Sequence, residues 1–250
     1  FEEFLNGRTL EEAILEEEKK NEEEGKKKGM NLRLRVAVSS KKALGEKVKE
    51  LPTDKLPIII AGGSFNAQGR ETELTEEGVK LLTELIKRVN NEKVYFVIGH
   101  KMQGYEKAIL DISKKLNKKF EIDAIVPKMI TEEVGEQLLN NKGINAIRIS
   151  TENEDSGIYK SFNYEIFERR SSVVVAFDGN SPVSNLVQEA KNGKGKSKIY
   201  VNDENALLHD KANTLEGYVT PFKLKEDIVD KILKDIPEIE ERSVYKKIDL

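Results

Sequence analysis

Short, continuous apolar runs recur along the chain from residue 56 onward, and polar or amphipathic segments separate them. Runs of this length and continuity are typical of strands buried on both faces of a parallel sheet. The pattern predicts six strands, at 57–61, 94–99, 123–127, 145–149, 172–177 and 197–201.

Helical spacing fills the intervals between these runs. Thr75 is a suitable N-cap for a helix to about residue 89, and the following apolar residues share one face of it: Leu74, Leu81, Leu82, Leu85 and Val89. Further helices are predicted at 105–116, 131–139, about 158–170 and about 223–233, and Pro182 suits the first position of another. This alternation predicts an α/β protein with a Rossmann-like three-layer fold, a mostly parallel sheet, and added N- and C-terminal helices.

The pattern also divides the chain into three parts. Residues 1–55 are predicted to be a charged helical extension, in which Thr9 caps a helix that loses its apolar face beyond Leu15. A second helix is expected near 41–50. Residues 56–222 form the predicted Rossmann-like domain, and residues 223–250 a C-terminal helical tail.

Composition narrows the classes of function. The chain has 250 residues, a net charge of -3 and no cysteine, so disulfides, thiolate metal sites and a cysteine nucleophile are excluded. Its balanced charge argues against nucleic acid as a partner. No apolar run reaches the roughly 20 residues of a membrane span, and no signal peptide leads the sequence, so a cytoplasmic protein is expected. Two isolated histidines give no ligand spacing, so neither a metal nor another cofactor is predicted.

Three predicted strands end in glycine-containing loops, and the carboxyl ends of parallel strands lie at one edge of a sheet. The loops are 61–66, 99–104 and 178–182. Glycine lets a ligand approach the backbone, and the N-terminus of a following helix attracts phosphate. The predicted ligand-binding residues of these loops are Gly62, Gly63, Ser64, Asn66, Gly99, His100, Gly104, Gly179, Asn180 and Ser181. Turn geometry alone could also explain the glycines.

The loops match no standard phosphate or nucleophile motif. The sequence has neither G-x-x-x-x-G-K-[ST] nor G-x-G-x-x-G, which argues against a P-loop NTPase and an ordinary NAD dehydrogenase. It also lacks the G-x-S-x-G elbow of a serine hydrolase. Of the two histidines, His209 is expected at the surface.

Four segments together resemble the SLOG superfamily, which includes LOG-type nucleotide phosphoribohydrolases and sensor domains of bacterial antiphage systems. They are GGS, VIGHKMQGYEKAI, DAIVP and SFNYEIFERRSSVVVAFDGNSPVSNLVQEA, and the resemblance spans residues 57–201. The last segment also resembles nucleoside deoxyribosyltransferases. The resemblance implies a Rossmann-like domain that binds a nucleotide-derived small molecule and pairs as a homodimer.

The resemblance also bears on catalysis. The family's enzymes carry a P-G-G-x-G-T-x-x-E-like loop and a preceding arginine. This chain has Asp178 to Ser181 in that loop and Glu189 on the next helix, and Asn163 stands near the arginine's position. Loss of the arginine favours a sensor that binds a cyclic ADP-ribose-like signal without converting it.

Three functions therefore stay open at the level of sequence. The first is a nucleotide sensor that acts on a partner domain of a longer chain or on a second copy, which a chain beginning at Phe1 allows. The second is an N-glycoside hydrolase or transferase, for which Glu189 is the first candidate carboxylate and Asp178 the second. The third is an interaction module with an empty pocket.

Overall fold

The computed structural model describes residues 37–49, 55–117, 120–150, 162–168, 171–195 and 197–236. Its main sheet has seven strands, all parallel, in the order β6-β4-β3-β2-β7-β8-β9. The strands are β2 (Leu56–Ala61), β3 (Val94–Ile98), β4 (Ile122–Val126), β6 (Ala146–Ile149), β7 (Val173–Ala176), β8 (Lys198–Asn202) and β9 (Val219–Phe222). The predicted α/β, Rossmann-like three-layer fold is confirmed.

Helices cover both faces of this sheet. They are α1 (Ser40–Leu44), α2 (Glu76–Arg88), α3 (Gly104–Lys115), α4 (Glu132–Asn140), α5 (Ser181–Asn192), α6 (Ala206–Thr214) and α7 (229–236). The first four helices and α7 pack on one face, whereas α5 and α6 pack on the other. The central strands β2, β3 and β7 are buried along their whole length, which explains their unbroken apolar runs.

The order of the strands reverses direction next to β2. From β2 the chain adds β3, β4 and β6 on one side, and it then returns to place β7 on the other side of β2. Parallel crossovers are right-handed, so the reversal also moves the connecting helices to the opposite face. The β2–β7 boundary is therefore the topological switch point of the sheet, where open α/β proteins bind ligands.

A small antiparallel sheet of two strands attaches residues 37–49 to this core. It consists of β1 (Ala37–Ser39) and β5 (Met129–Thr131). The side chain of Ser40 donates a hydrogen bond of 2.6 Å to the carbonyl of Pro127, and Leu44 is fully buried. Residues 37–49 thus pack on the domain.

Several elements differ from the sequence prediction. Strand β9 was not predicted because Pro221 interrupts its apolar pattern; a proline is tolerated there because β9 is an edge strand. Helix α6 was missed because its apolar residues are only weakly segregated on one face. The helix expected at 41–50 is shorter, since Gly45 ends α1 with a φ of 46° and a 3-10 turn follows. The last helix starts at residue 229 instead of 223.

Two helix ends and one predicted helix also need correction. Thr75 caps α2 as predicted, accepting a hydrogen bond from the Gly78 amide, but Leu74 is 47% exposed and does not join the apolar face. Pro182 is the second residue of α5, not the first. Of the helix predicted at 158–170, the structure describes a π-helical turn, Tyr164–Glu168.

Other predictions fall outside the described residues. They include the capped helix near Thr9, the first part of the 158–170 helix and the tail beyond residue 236. Within the described ranges, no helix is long and apolar enough to cross a membrane.

A buried ion pair joins β4 and β6 near the edge of the sheet. Arg148 Nη2 donates to Asp123 Oδ2 at 2.5 Å, and the two side chains are 2% and 0% exposed. Burial raises the pKa of Asp123 from 3.8 to about 6, and the Arg148 guanidinium opposes part of that rise. Arg148 Nε and Nη1 have no hydrogen-bond partner within the described part of the chain. Ionising Asp123 costs more free energy in the folded protein than in the unfolded chain. The free energy of unfolding therefore depends on pH.

We expect the free energy of unfolding to fall as pH rises from about 4 to about 6. The unfolded chain ionises Asp123 near its ordinary pKa, whereas the folded chain resists ionisation until about 6. The loss is of the order of 1–3 kcal/mol. Urea unfolding of the wild type and D123N across this range measures it, because the amide cannot ionise. D230N, which removes the exposed partner of Arg88, is the control. A wild type that gains stability relative to D123N over this range would contradict the prediction.

Candidate functional site

The three predicted loops meet around one cavity at the carboxyl end of the sheet, at its switch point. The cavity has a volume of about 120 Å³. Its lining comes from the end of β2, from the loops after β2, β3 and β7, and from the N-terminal parts of α3 and α5: Ala61, Gly63, Ser64, Phe65, Gly99, His100, Lys101, Glu106, Asn180, Pro182, Val183 and Leu186. The structure thus brings five predicted residues to this cavity: Gly63, Ser64, Gly99, His100 and Asn180.

Direct backbone bonds hold the loops together. The Tyr105 amide donates to the Gly62 carbonyl at 2.8 Å, which joins the start of α3 to the end of β2. The Phe177 amide donates to the Ala61 carbonyl, also at 2.8 Å, which joins β7 to β2. The rings of Tyr105 and Phe177 stack with centroids 4.6 Å apart beneath the loops. The floor of the site is therefore a closely packed part of the core.

Close packing of the loops explains three of the predicted glycines. A Cβ on Gly104, which has a φ of 53°, would lie 2.3 Å from the Gly63 carbonyl oxygen and 2.5 Å from that of Gly62. A Cβ on Gly62 would lie 3.0 Å from the Asp178 amide nitrogen, and one on Gly179 would lie 2.3 Å from the Val183 side chain. None of these three glycines lines the cavity. The geometric explanation left open at the sequence level thus accounts for them.

Asn66 organises its own loop. Its side-chain oxygen accepts hydrogen bonds of 3.0 Å from the amides of Gln68 and Arg70. The Asn66 amide in turn donates to the Arg70 carbonyl at 2.8 Å. Asn66 lies outside the cavity lining, and its described bonds are those of a turn-forming residue.

Asp178, at the carboxyl edge of the sheet, is hydrogen-bonded to the N-cap residue of α6. Its carboxylate accepts hydrogen bonds from the Asn205 side chain and, at 2.9 Å, from the Gly179 amide. Asn205 also donates to the Gly179 carbonyl at 3.1 Å and caps α6 by accepting from the Leu208 amide. Neither Asp178 nor Ser181 is among the lining residues.

Glu189 and Asn163 form a pair with each other. Asn163 Nδ2 donates to Glu189 Oε2 at 2.9 Å, which ties α5 to the π-helical turn. Glu189 stands seven residues after Pro182, about 10 Å farther along α5 at 1.5 Å per residue. The two residues contact each other, but neither is among the residues that line the cavity.

Three polar or aromatic residues of the cavity were not predicted from the sequence as site residues: Glu106, Lys101 and Phe65. Glu106 is the third residue of α3, and its carboxylate lies beside Gly63 and Gly99. A Cβ on either glycine would lie 2.8 Å from an atom of that carboxyl group. Lys101 Nζ lies 5.7 Å from the centroid of the Phe65 ring, which is 41% exposed. An acidic residue in the first turn after a glycine loop was the available signal for Glu106.

Several titratable groups of the described residues lie outside the cavity lining. Within the described ranges, no three His, Asp or Glu side chains are grouped so that they could hold a metal ion. His209 is exposed, as expected, and its Nδ1 lies 2.7 Å from Asp203 Oδ1. Burial raises the pKa of Tyr105, whose hydroxyl lies 3.3 Å from the hydroxyl of Thr75.

Comparison with known proteins identifies no family. No protein-family model matches the chain, and no curated protein matches it. Among solved structures, it is similar to the molybdenum cofactor carrier protein MCP from Chlamydomonas reinhardtii, at 14% sequence identity and a TM-score of 0.47. That match covers 74% of this chain and 99% of the other. A similarity this distant carries no argument about function, and the fold rests on the sheet described above.

We expect G104A to destabilise the protein far more than G69A. Both glycines have a positive φ, 53° and 70°, so alanine at either costs about 1–2 kcal/mol of backbone strain. Only at Gly104 would the new Cβ meet backbone oxygens, because nothing lies within 4 Å of a Cβ on Gly69. Overpacking adds about 1–3 kcal/mol at Gly104.

Urea unfolding of both variants measures this difference. Equal losses of unfolding free energy in G104A and G69A would contradict the close contact between the two loops.

Proposed function

We propose that this chain binds a nucleotide-derived small molecule in the cavity at the β2–β7 switch point. The observation that carries the proposal is the convergence of the loops after β2, β3 and β7 on one cavity at the carboxyl edge of a parallel sheet. That edge is where open α/β sheets bind nucleotides.

The lining suits part of such a ligand. One wall is apolar, from Pro182, Val183 and Leu186, and a few polar groups face it, as in most small-molecule sites. A volume of about 120 Å³ is smaller than the roughly 300 Å³ at which drug-sized pockets begin. The cavity would therefore hold one portion of a nucleotide, with the remainder lying across the exposed rim.

The rim offers a place for the base. Phe65 presents a partly exposed ring with the Lys101 ammonium beside it. Exposed aromatic rings are stacking surfaces for nucleobases. For the phosphate, the N-terminus of α5 is better suited than that of α3, because the Glu106 carboxylate already stands in the first turn of α3.

The more detailed part of the proposal rests on the sequence resemblance. It is that residues 56–222 form a sensor domain for a cyclic ADP-ribose-like signal, in a cytoplasmic, homodimeric or multidomain protein of antiphage defence. The parts of residues 1–55 and 223–250 that do not pack on this domain would then connect it to its partner.

We expect a nucleotide from a panel of mono-, di- and cyclic nucleotides and ADP-ribose derivatives to bind and to raise the thermal unfolding temperature. F65A should weaken that binding about 5-fold to 100-fold, the effect of losing one stacked base. Calorimetry gives the dissociation constants, and mass spectrometry shows whether the recovered ligand is intact.

Y218A is the matched control for F65A. Tyr218 is also exposed and also carries a lysine over its ring, with Lys191 Nζ 4.8 Å from the centroid, but it does not line the cavity. If F65A and Y218A weakened binding equally, the proposal that the base stacks on Phe65 would be rejected. Flat calorimetry across the whole panel would reject nucleotide binding and favour the interaction module.

N-glycoside cleavage is the second candidate function. The observation that favours it is a carboxylate, Glu106, among the residues that line the cavity. A carboxylate can stabilise an oxocarbenium-like ribosyl centre or activate water against it. The carboxylates nominated from sequence, Glu189 and Asp178, have hydrogen-bond partners in Asn163 and Asn205 and remain predictions for this role.

If the chain cleaves N-glycosides, E106Q should lower base release by at least about 100-fold, the scale of general acid–base catalysis. E189Q and D178N distinguish the candidates, because only the variant of the reacting carboxylate should lose turnover while still binding substrate. Release of free base, followed by chromatography, is the measurement. A panel recovered intact from wild-type protein would rule out this function and leave the sensor.

A further inference from the structure

Glu106 brings an acceptor-only group into a cavity whose neighbouring wall is apolar. Its carboxyl group lies in the space that side chains at Gly63 and Gly99 would occupy, since a Cβ at either would approach it to 2.8 Å. The absence of two side chains thus makes room for this carboxylate between the ends of β2 and β3. Across the cavity stand Pro182, Val183 and Leu186 of α5.

This arrangement selects the chemistry of the ligand group that lies there. An ionised carboxylate accepts hydrogen bonds and donates none, so any ligand group that binds to it must carry O–H or N–H donors. A phosphate oxygen in contact with the Glu106 carboxylate would be repelled, because both groups are negatively charged. The sequence predicted Gly99, His100 and Gly104 as ligand-binding residues beside a helix N-terminus that attracts phosphate; the position of Glu106 favours a ligand group that donates hydrogen bonds instead.

A sugar diol fits both the donors and the available space. Two adjacent hydroxyls can each donate to one oxygen of a single carboxylate, a two-point contact that one amino group cannot make in the same way. The cavity of about 120 Å³ corresponds to about four water molecules at ~30 Å³ each, which suits a small polar portion of a ligand.

We propose that Glu106 recognises the ribose of the bound nucleotide by accepting hydrogen bonds from its 2′ and 3′ hydroxyls. The site would then discriminate ribonucleotides from 2′-deoxyribonucleotides. This inference rests on the proposed function and specifies which part of the ligand enters the cavity. Glu106 is here a specificity-determining residue, and the inference requires no reaction at the sugar.

The test compares the dissociation constants of matched ligands by calorimetry. The probes are AMP, ADP, ADP-ribose and cyclic ADP-ribose, each beside its 2′-deoxy counterpart, with IMP beside AMP to detect recognition of the base amino group. The proteins are the wild type, E106Q, E106D and the control E77Q. Glu77 is also in the first turn of a helix, α2, but it is exposed and lies outside the cavity lining.

We expect the wild type to bind a ribonucleotide about tenfold to hundredfold more tightly than its 2′-deoxy counterpart, since a hydrogen bond to a charged group is lost. E106Q should reduce this preference to less than about threefold. E106D, which keeps the carboxylate on a shorter side chain, should retain an intermediate preference, and E77Q the full preference. Thermal unfolding of each variant confirms that it is folded.

The failure of this inference is distinguishable from the failure of the proposed function. Binding with equal affinity for ribo and deoxy ligands would overturn the role of Glu106 while nucleotide binding stands. A ribonucleotide preference that persists in E106Q would also overturn it. So would a loss of affinity in E106Q that occurs for AMP but not for IMP, because Glu106 would then recognise the amino group of the base. No binding of any probe to the wild type would overturn both.

Discussion

The candidate site depends on a close approach between two stretches of backbone. Gly104, at the start of α3, faces the carbonyl oxygens of Gly62 and Gly63 so closely that no Cβ could lie between them. The Tyr105 amide completes the contact with a hydrogen bond to Gly62. This contact draws the first turn of α3 against the end of β2, and the third residue of that turn is Glu106. A steric requirement at one glycine thereby determines which carboxylate reaches the cavity.

The electrostatic character of the cavity follows from that geometry. A helix N-terminus attracts negative charge, and in α3 the chain's own Glu106 supplies it. A phosphate is therefore better accommodated at the start of α5, where Asn180 makes no side-chain capping bond. The two helix termini would therefore contact different parts of the proposed ligand. This division gives the proposed nucleotide a direction across the sheet edge.

Polar pairs support the rest of the edge without lining the cavity. Asp178 accepts a hydrogen bond from Asn205, the N-cap of α6, and Glu189 accepts one from Asn163, which directly precedes the π-helical turn. Each pair joins segments that are distant in sequence, so each fixes the position of α5 relative to its neighbours. Their hydrogen bonds explain why polar residues occur at these positions. The catalytic roles predicted for Glu189 and Asp178 are not needed to explain them and are tested by substitution.

The sequence by itself determined the α/β class, six of the seven strands of the main sheet and the edge at which a site would form. It did so because a strand buried on both faces needs an unbroken apolar run, and parallel strands bring their carboxyl ends together. Strand β9, with Pro221, was hidden because its pairing depends on its edge position. Tertiary structure alone decided which loop residues face the cavity. Gly62 and Gly63 are identical neighbours in sequence, yet one packs against Asp178 and Tyr105 and the other makes room for Glu106. That difference arises from contacts between segments more than 40 residues apart, which no local pattern encodes.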